Sequence, residues 1–461
     1  MSVSIENLRK FVAPEIIFGN GARYLAGEYC KKFYIAKPMI VTDSGVIAAG
    51  WADQVAQTLI EHDIAYVTFS KVTPNPREEE TMMGAAAYIA ADCDGIIAVG
   101  GGSPMDCAKG IGIVVSNGGH ILDYEGVDRI MAPLPPMIFI PTTAGTSADV
   151  SQFCIINNTR ERVKIAIISK IVIPDIALID PETTTTMDPY LTACTGMDAL
   201  AHAVEAFVST ASSKITDVHA LEAMRLLKTN LPQILDHPHD MVFRENIMLA
   251  SMEAGLAFSN AVLGAVHAMA HSLGGFLDLP HGECNSLLLE HVVNFNYAAA
   301  PERFAVIAQN LGLDTRGLNQ KEIRTALFGQ IRSLRYQLGI SKTLGQVQVQ
   351  KKIKELETSE SRYRLLAENI SDVIWMLDLN LNILFISPSI ETMGGFLPEE
   401  LEGKSFLRLL VSDHAALFSD RISKGINEPS CSDSSAHPAM VIELLQANKD
   451  GTTTWIEAKV S

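Results

Sequence analysis

Short apolar runs alternate with amphipathic helical runs from the start of the chain to about Asp188. Strands that are apolar along their whole length and separated by helices are typical of a parallel sheet covered on both faces. The apolar runs are KPMIVTD, IAYVTF, DGIIAVGGG and MIFIPTT, and the first helical run is VIAAGWADQVAQTLIEH. The pattern therefore predicts an α/β fold with a parallel sheet over residues 1–188.

The rest of the chain changes character twice. Strand-like runs stop after Tyr190, and Ala-, Leu- and His-rich helical patterns predict an all-helical domain over residues 189–345. A short heptad pattern over 346–361 predicts a connecting helix or a two-helix coil, with a single surface helix as the plainer alternative. Two hairpins, DVIWMLDLNLNILFISPSI and VIELLQANKDGTTTWIEAKV, with a helical LPEELEGKSFLRLL between them, predict a small α+β domain over 362–461.

Charge and cysteine usage limit the partners and the compartment. The net charge of −17 disfavours nonspecific binding to nucleic acid or to an anionic membrane. The seven cysteines are scattered and form no C-x-x-C pair, which disfavours a disulfide framework or a thiolate zinc site. No apolar run reaches the ~18 residues that span a bilayer, and the first residues lack a signal-peptide pattern. We therefore expect a soluble cytoplasmic protein with neither a nucleic-acid nor a membrane partner.

A glycine-rich turn follows the third predicted strand. Strand GIIAV leads into Gly101, Gly102 and Ser103, and a helix follows. Glycines let the backbone approach a ligand closely, and a helix N-terminus attracts anions, so a pyrophosphate would bind well there. We expect Ser103 to be the N-cap of this helix. The turn is not the G-x-G-x-x-G fingerprint, and by itself such a turn is as often structural as functional.

Two further polar positions favour a dinucleotide. Asp43 ends strand PMIVT, where a carboxylate would accept hydrogen bonds from a ribose and repel a 2′-phosphate. Thr142, Thr143 and Thr146 follow strand MIFIP at the same carboxyl edge of the predicted sheet. Taken alone, an aspartate at the end of a strand or a threonine-rich segment usually does no more than form a turn. Their combination in chain order predicts a dinucleotide-binding domain that prefers NAD to NADP.

Histidines and one aspartate recur at helical spacing in the second domain. Asp198 and His202 are four residues apart on one predicted helix, and His267 and His271 are four apart on another. A Pro-His-Gly sequence is expected to place His281 in a loop. A single histidine among apolar residues is usually a hydrogen-bonded core residue, but one carboxylate with several imidazoles can bind a divalent cation and leave a coordination position open.

The two predicted sites together indicate a reaction. A divalent metal that binds an alcohol oxygen acts as a Lewis acid, while an adjacent nicotinamide accepts the hydride. His271 lies one helical turn from His267, and we expect it to be a catalytic proton relay with a pKa near the working range. The sequence thus predicts an oxidoreductase that interconverts a small alcohol and its aldehyde.

At these residues the sequence resembles the iron-containing alcohol dehydrogenase family, from about Ile5 to about Leu344. The motifs that carry the resemblance are VGGGSPMDCAKG, PTTAGTSADVSQF, TGMDALAHAVEAF and GAVHAMAHSLGGFLDLPHGECNSLLLEHVVNFN. The resemblance implies an N-terminal dinucleotide-binding α/β domain and an all-helical metal domain with the active site in the cleft between them. It also implies a homodimer or larger homo-oligomer that acts on a small primary alcohol or diol.

Site residues follow from the resemblance by position. It implies Fe(II), and sometimes Zn(II), as the metal, with the ligands Asp198, His202, His267 and His281. For NAD it implies the binding residues Asp43, Asn75, Gly101, Gly102, Ser103, Thr142, Thr143, Thr146 and Lys164. Asn75 and Lys164 rest on the resemblance alone.

The tail departs from that family. Helices that usually close the metal domain are replaced from about Ser361 by a segment that resembles a PAS sensor domain and ends before its usual last strand. We assign this domain no cofactor, since lone Cys431 gives no support for a flavin-binding variant. Three hypotheses follow: a dehydrogenase with an appended sensor-like domain, a signalling protein that uses a dehydrogenase-like module to detect NAD(H) or an alcohol, or a poorly folded hybrid.

Overall fold

A computed structural model describes residues 9–161, 163–277, 279–340, 343, 345–346, 375–378, 380–386, 389–418 and 440–460. Internal contacts divide the chain into two units, residues 1–346 and 347–461. The predicted heptad segment, apart from Gln346, and Cys431 lie outside the described residues.

The first unit contains two sheets, whose strands are β1 (Glu15–Phe18), β2 (Pro38–Asp43), β3 (Val67–Val72), β4 (Gly95–Gly100), β5 (Gly126–Val127), β6 (Met137–Pro141), β7 (Phe153–Asn158), β8 (Val163–Ile168) and β9 (Ile176–Ile179). The larger sheet has six parallel strands in the order β1-β9-β6-β4-β2-β3. Its central strands β4, β6 and β9 are buried at every residue, as expected for a sheet covered on both faces. The smaller sheet, β5-β8-β7, contains an antiparallel pair that the sequence pattern did not predict.

Helices connect the parallel strands, which confirms the predicted α/β class. They are α1 (Ala26–Lys32), α2 (Ser44–Ala48), α3 (Trp51–Glu61), α4 (Glu78–Ala90) and α5 (Gly102–Asn117). The prediction of one continuous helix over VIAAGWADQVAQTLIEH was wrong, because Gly50 adopts a φ of 81° and separates α2 from α3.

In the described residues up to Ile340, seven α-helices follow the sheet: α6 (Pro189–Val208), α7 (Lys214–Asp236), α8 (Met241–Ala261), α9 (Ala265–Leu277), α10 (His281–Asn296), α11 (Pro301–Asn310) and α12 (Gln320–Gln337). Helix α6 is central to them, since every residue from Thr192 to Phe207 is buried. Taken singly, the described helices lack the length and hydropathy to span a bilayer; only α8 and α9 meet that criterion, as a pair bent by 103°.

The described elements of the second unit are β10 (Trp375–Leu377), β11 (Ile383–Ile386), α13 (Ser389–Gly394), α14 (Pro398–Leu401), β12 (Met440–Ala447) and β13 (Thr453–Val460). Strands β10 and β11 form one antiparallel hairpin and β12 and β13 form another, as the sequence predicted. The predicted helix over LPEELEGKSFLRLL is shorter than expected, since Gly403 has a φ of 76° and a 3-10 turn, Phe406–Leu409, follows it.

A buried ion pair holds the chain where the sheet ends. The carboxylate of Asp180, directly after β9, accepts hydrogen bonds from the amides of Gly21 at 3.0 Å and Glu182 at 3.1 Å, and pairs with the Arg23 guanidinium. Asp180 is fully buried and Arg23 is 2% exposed, so neither charge has solvent as an alternative partner. This cluster fixes the segment through which the chain leaves the sheet for α6.

We expect Asp180→Ala to lower the free energy of unfolding by about 3–5 kcal/mol, because it leaves the Arg23 guanidinium buried without its main counter-charge. Urea unfolding of the full chain measures the change. Glu182→Ala is the matched control, since Glu182 pairs with the same arginine at 2.8 Å but its side chain is 45% exposed; its loss should cost about 1 kcal/mol or less. Equal effects of the two substitutions would contradict this account of Asp180.

Candidate active site

The carboxyl ends of four neighbouring strands carry the predicted nucleotide-binding positions. In the order β6-β4-β2-β3, these strands lead into Thr142, Gly101, Asp43 and Asn75. The amide of Thr142 donates to the carbonyl of Gly100 at 2.9 Å, so the two central loops run side by side. This edge of an α/β sheet is where ligands usually bind.

The glycine loop, residues 100–103, lies directly against the threonine loop, residues 142–147. A Cβ atom added at Gly101 would lie 2.9 Å from Thr143 Oγ1, and one at Gly102 would lie 2.9 Å from Thr146 Oγ1. Both glycines are therefore required by the contact between the loops as well as by any ligand. Gly101 is the N-cap of α5 and makes no side-chain cap, which leaves the first-turn amides available to an anion.

Ser103 has a different role from the predicted one. It is the second residue of α5 and not the N-cap, and its Oγ accepts a hydrogen bond from the amide of Asn75 at 3.2 Å. Lys164 on β8 donates to Asn75 Oδ1 at 2.7 Å. Of the two residues that only the resemblance implied, Asn75 is thus hydrogen-bonded to the glycine loop, and Lys164 is joined to that loop through Asn75.

Asp43 also forms a local contact. One carboxylate oxygen, Oδ1, accepts from the amide of Val46 at 2.9 Å, so Asp43 is the N-cap of α2. Asp43 therefore caps α2 and also lines the cleft. A serine could replace the capping function but not the negative charge.

One cleft of about 1000 Å³ brings the predicted positions together. Its lining includes all nine predicted cofactor residues, the four predicted metal ligands and His271. These are Asp43, Asn75, Gly101, Gly102, Ser103, Thr142, Thr143, Thr146, Lys164, Asp198, His202, His267, His271 and His281. The sequence signals lie far apart along the chain, and the fold places them around a single space.

The candidate cation ligands converge on Asp198 Oδ1. It lies 3.6 Å from His267 Nε2, 3.8 Å from His281 Nε2 and 4.0 Å from His202 Nε2. Tetrahedral ligands at ~2.0–2.2 Å from a metal are about 3.4 Å apart, so these separations suit a transition-metal ion. The expectation that His281 lies in a loop was wrong, because it is the first residue of α10.

Burial and neighbouring charge set the protonation of this cluster. Burial acts to raise the pKa of Asp198, but the imidazoles of His202, His281 and His267 hold it well below its usual range. Burial lowers the pKa of His202 to about 4 and lowers that of His281 strongly, so both rings are neutral near pH 7. Neutral imidazoles beside an ionised carboxylate are the protonation states that bind divalent cations.

Glu205 is a site residue that the sequence reasoning missed. Its carboxylate accepts from His267 Nδ1 at 2.6 Å and from the amides of Gly264 at 3.0 Å and Val266 at 2.6 Å. Burial acts to lower the pKa of His267, yet the carboxylates of Asp198 and Glu205 raise it to about 9. With Nδ1 bonded to Glu205, Nε2 faces Asp198. The positions of Asp198, His202 and Glu205 on one face of α6 could have identified it.

Asn285 is a second missed residue. It lies on α10 one turn after His281. Its Nδ2 donates to Asp198 Oδ1 at 2.5 Å and also lies 3.0 Å from His267 Nε2 and 3.1 Å from His281 Nε2. The i,i+4 spacing from His281 was the signal available in the sequence.

His271 lies beside the cluster, with its ring centroid 5.0 Å from that of His281 and 6.3 Å from that of His267. The expectation of a pKa near the working range was wrong. Burial, together with the neighbouring charges of His267 and Lys164, lowers the pKa of His271 to about 3. The ring is therefore a neutral imidazole, which offers one donor and one acceptor nitrogen to the cleft.

Family models match nearly the whole chain. The model described as iron-containing alcohol dehydrogenase matches residues 13–181, and the model described as Fe-containing alcohol dehydrogenase family, C-terminal, matches residues 192–369. A model of the PAS fold matches residues 361–461.

Individual proteins give the same result. The chain is 41% identical to the 1,3-propanediol dehydrogenase of Citrobacter freundii over 337 residues, which cover 72% of this chain and 87% of the relative. It is 38% identical to the NAD-dependent methanol dehydrogenase of Bacillus methanolicus, over 67% of this chain and 81% of the relative. A solved 1,3-propanediol oxidoreductase superposes with a TM-score of 0.72 at 39% identity, over 74% of this chain and 90% of that one.

We expect Glu205→Gln to weaken binding of a divalent cation by about 10–100-fold, because a neutral amide no longer fixes His267 with Nε2 toward Asp198. Equilibrium dialysis of the full chain against Zn(II) measures this. The matched control is Glu253→Gln, since Glu253 makes the same contact with His219 Nδ1, at 2.5 Å, away from the cleft. A parallel loss in both variants would indicate a general effect on the helices and count against the role of Glu205.

Proposed function

The chain belongs to the iron-containing alcohol dehydrogenase family, and from this premise we propose that it interconverts a small primary alcohol or diol and its aldehyde by hydride transfer with NAD. The observation that carries the proposal is the single cleft, which is lined by both the nucleotide-binding loops and the cation ligands. The names of the relatives, 1,3-propanediol dehydrogenase and NAD-dependent methanol dehydrogenase, support the substrate class and the cofactor.

The donor set fits a divalent transition metal. One buried carboxylate and three imidazoles converge within the cleft, and N/O sets of this kind suit Fe(II) and also Zn(II). The residues that would hold the ion are Asp198, His202, His267 and His281. When bound, it supplies Lewis-acid polarisation of the alcohol or aldehyde oxygen.

The nucleotide end of the cleft fits an anionic dinucleotide. The first-turn amides of α5 and the ammonium group of Lys164 are local positive partners for phosphate in a chain whose net charge is −17. The Asp43 carboxylate would accept hydrogen bonds from a ribose and would repel a 2′-phosphate. When bound, NAD supplies the hydride acceptor.

We assign His271 the movement of the alcohol proton. A neutral imidazole in the cleft can accept a proton at one ring nitrogen while it releases one from the other, so it need not hold a charge for long. Because the pKa of His271 is low, the ring passes a proton on and does not retain it. The histidine therefore remains the proposed catalytic residue, with a role that differs from a base poised near neutral pH.

The role of the C-terminal unit stays a prediction. Its match is to the PAS fold, and both the cleft and the cation ligands lie within residues 1–346, so the observations favour catalysis over sensing as the main activity. The cytoplasmic location and the homo-oligomeric state also stay predictions.

Purified full-length chain supplied with Fe(II) or Zn(II) and NAD should oxidise 1,3-propanediol or short primary alcohols. The absorbance of reduced nicotinamide follows the reaction, and a chelator should abolish it because the ion polarises the reacting oxygen. Lack of turnover across a panel of alcohols, with metal and NAD both shown to bind, would contradict the proposal and favour a sensing role.

Asp43→Ser should raise the ratio of NADP to NAD utilisation by about tenfold or more, the effect of removing ~1.4 kcal/mol of repulsion toward the 2′-phosphate. Serine retains an N-cap for α2, so the change isolates the charge. Steady-state kinetics with both cofactors give the ratio. Asp53→Ser, at an exposed position on α3 outside the cleft, should leave it unchanged; an unaltered ratio in Asp43→Ser would refute the assignment of Asp43.

A further inference from the structure

We propose that Asn285 is a further residue of the cation site and that its side-chain carbonyl oxygen, Oδ1, binds the divalent cation. The inference rests on the proposed metal-dependent function and adds a neutral oxygen donor to the carboxylate and imidazoles.

The position of Asn285 is the first observation. The residue is fully buried on α10, and its amide nitrogen contacts three atoms of the candidate ligands, on Asp198, His267 and His281. The Asp198 oxygen accepts a hydrogen bond in this contact, and the two ring nitrogens lie within hydrogen-bond distance of the same amide. An amide that contacts three of the four candidate ligands lies directly beside the candidate cation site.

The second observation is the unpaired carbonyl. Asn285 Oδ1 is buried and has no hydrogen-bond partner among the residues that the structure describes. A buried acceptor without a partner is unfavourable, and native proteins rarely retain one without a reason. Because the nitrogen of the same amide contacts the candidate ligands, a cation is a partner that would explain the unpaired oxygen once the amide has turned.

The chemistry of the imidazoles favours a turned amide when a cation is bound. A cation binds His267 only in its neutral form, in which Nδ1 keeps the hydrogen that it donates to Glu205 and Nε2 carries a single lone pair. That lone pair cannot accept an N–H from Asn285 and bind a cation at once. Half a turn about the terminal torsion exchanges Nδ2 for Oδ1 with little other movement, and an amide carbonyl is an accepted ligand for divalent cations.

The alternative is that Asn285 only donates and so holds the ligands together. The two roles differ in how they respond to aspartate, which has the shape of asparagine but only acceptor oxygens. If Oδ1 binds the cation, a carboxylate at this position serves as well or better. If Asn285 acts only as a donor, Asn285→Asp places a second negative charge against Asp198 and disrupts the set.

The test is Zn(II) and Co(II) affinity of the full chain by equilibrium dialysis, with the Co(II) absorption spectrum as a readout of the ligand set. We expect Asn285→Ala to bind Zn(II) about tenfold or more weakly than the unaltered chain. Asn285→Asp should bind at least as tightly as the unaltered chain and should change the Co(II) spectrum.

Asn294→Asp is the matched control. It makes the same change on the same helix, where Oδ1 faces Arg324 at 2.8 Å, and should leave the affinity and the Co(II) spectrum unchanged. Circular dichroism establishes that each variant is folded at the temperature of the assay.

Unchanged affinity in Asn285→Ala, or affinity in Asn285→Asp no better than in Asn285→Ala, would overturn the inference while leaving the proposed function standing. Failure of the unaltered chain to bind either metal would remove the proposed metal site, and the inference with it.

Discussion

The carboxylate of Asp198 is the constraint around which the helical part of the chain is arranged. It lies on a helix that is buried from Thr192 to Phe207, where an ionised group without partners would be very costly. Helices α9 and α10 offset that cost because each places an imidazole beside the Asp198 carboxylate, and Asn285 adds an amide. A helix this deeply buried would otherwise be expected to be entirely apolar. The ionisable residues that break the rule, Asp198, His202 and Glu205, are those that form the candidate site.

The threonine loop then sets the distance between the two halves of the cleft. On one side it contacts the glycine loop, as described above. On the other, a Cβ atom at Gly145 would lie 2.6 Å from the backbone oxygen of Thr195 on α6, and Ser147 donates to the carbonyl of Ser251 on α8 at 2.6 Å. One short loop therefore touches the nucleotide-binding turn and the helix that carries Asp198. The proposed hydride transfer requires reactants held within a narrow range of distance, and this contact would supply that rigidity.

The sequence was sufficient where a pattern reflects a physical repeat. Apolar strands and i,i+4 pairs predicted the parallel sheet and the positions of Asp198, His202 and His267, because both follow from local periodicity. The sequence was insufficient to predict the role of a residue whose partner lies on another helix or strand. Glu205 and Asn285 gain their roles only when α6, α9 and α10 meet, and the extent to which burial lowers the pKa of His271 depends on what covers the ring.

The negative charge of the chain disfavours the binding of an anion at the nucleotide end of the cleft. A dinucleotide carries negative phosphates, and Asp106 lies in the first turns of α5 and lines the same cleft. Burial raises the pKa of Asp106 to about 7, although Lys109 and Lys164 oppose that change. Near neutral pH the carboxyl is therefore only partly ionised, which reduces the repulsion that an anion at this helix N-terminus would meet. Burial thus has opposite effects at the two ends of the cleft: it suppresses a charge where we propose that phosphate binds, and it strengthens the interactions of Asp198 where we propose that a cation binds.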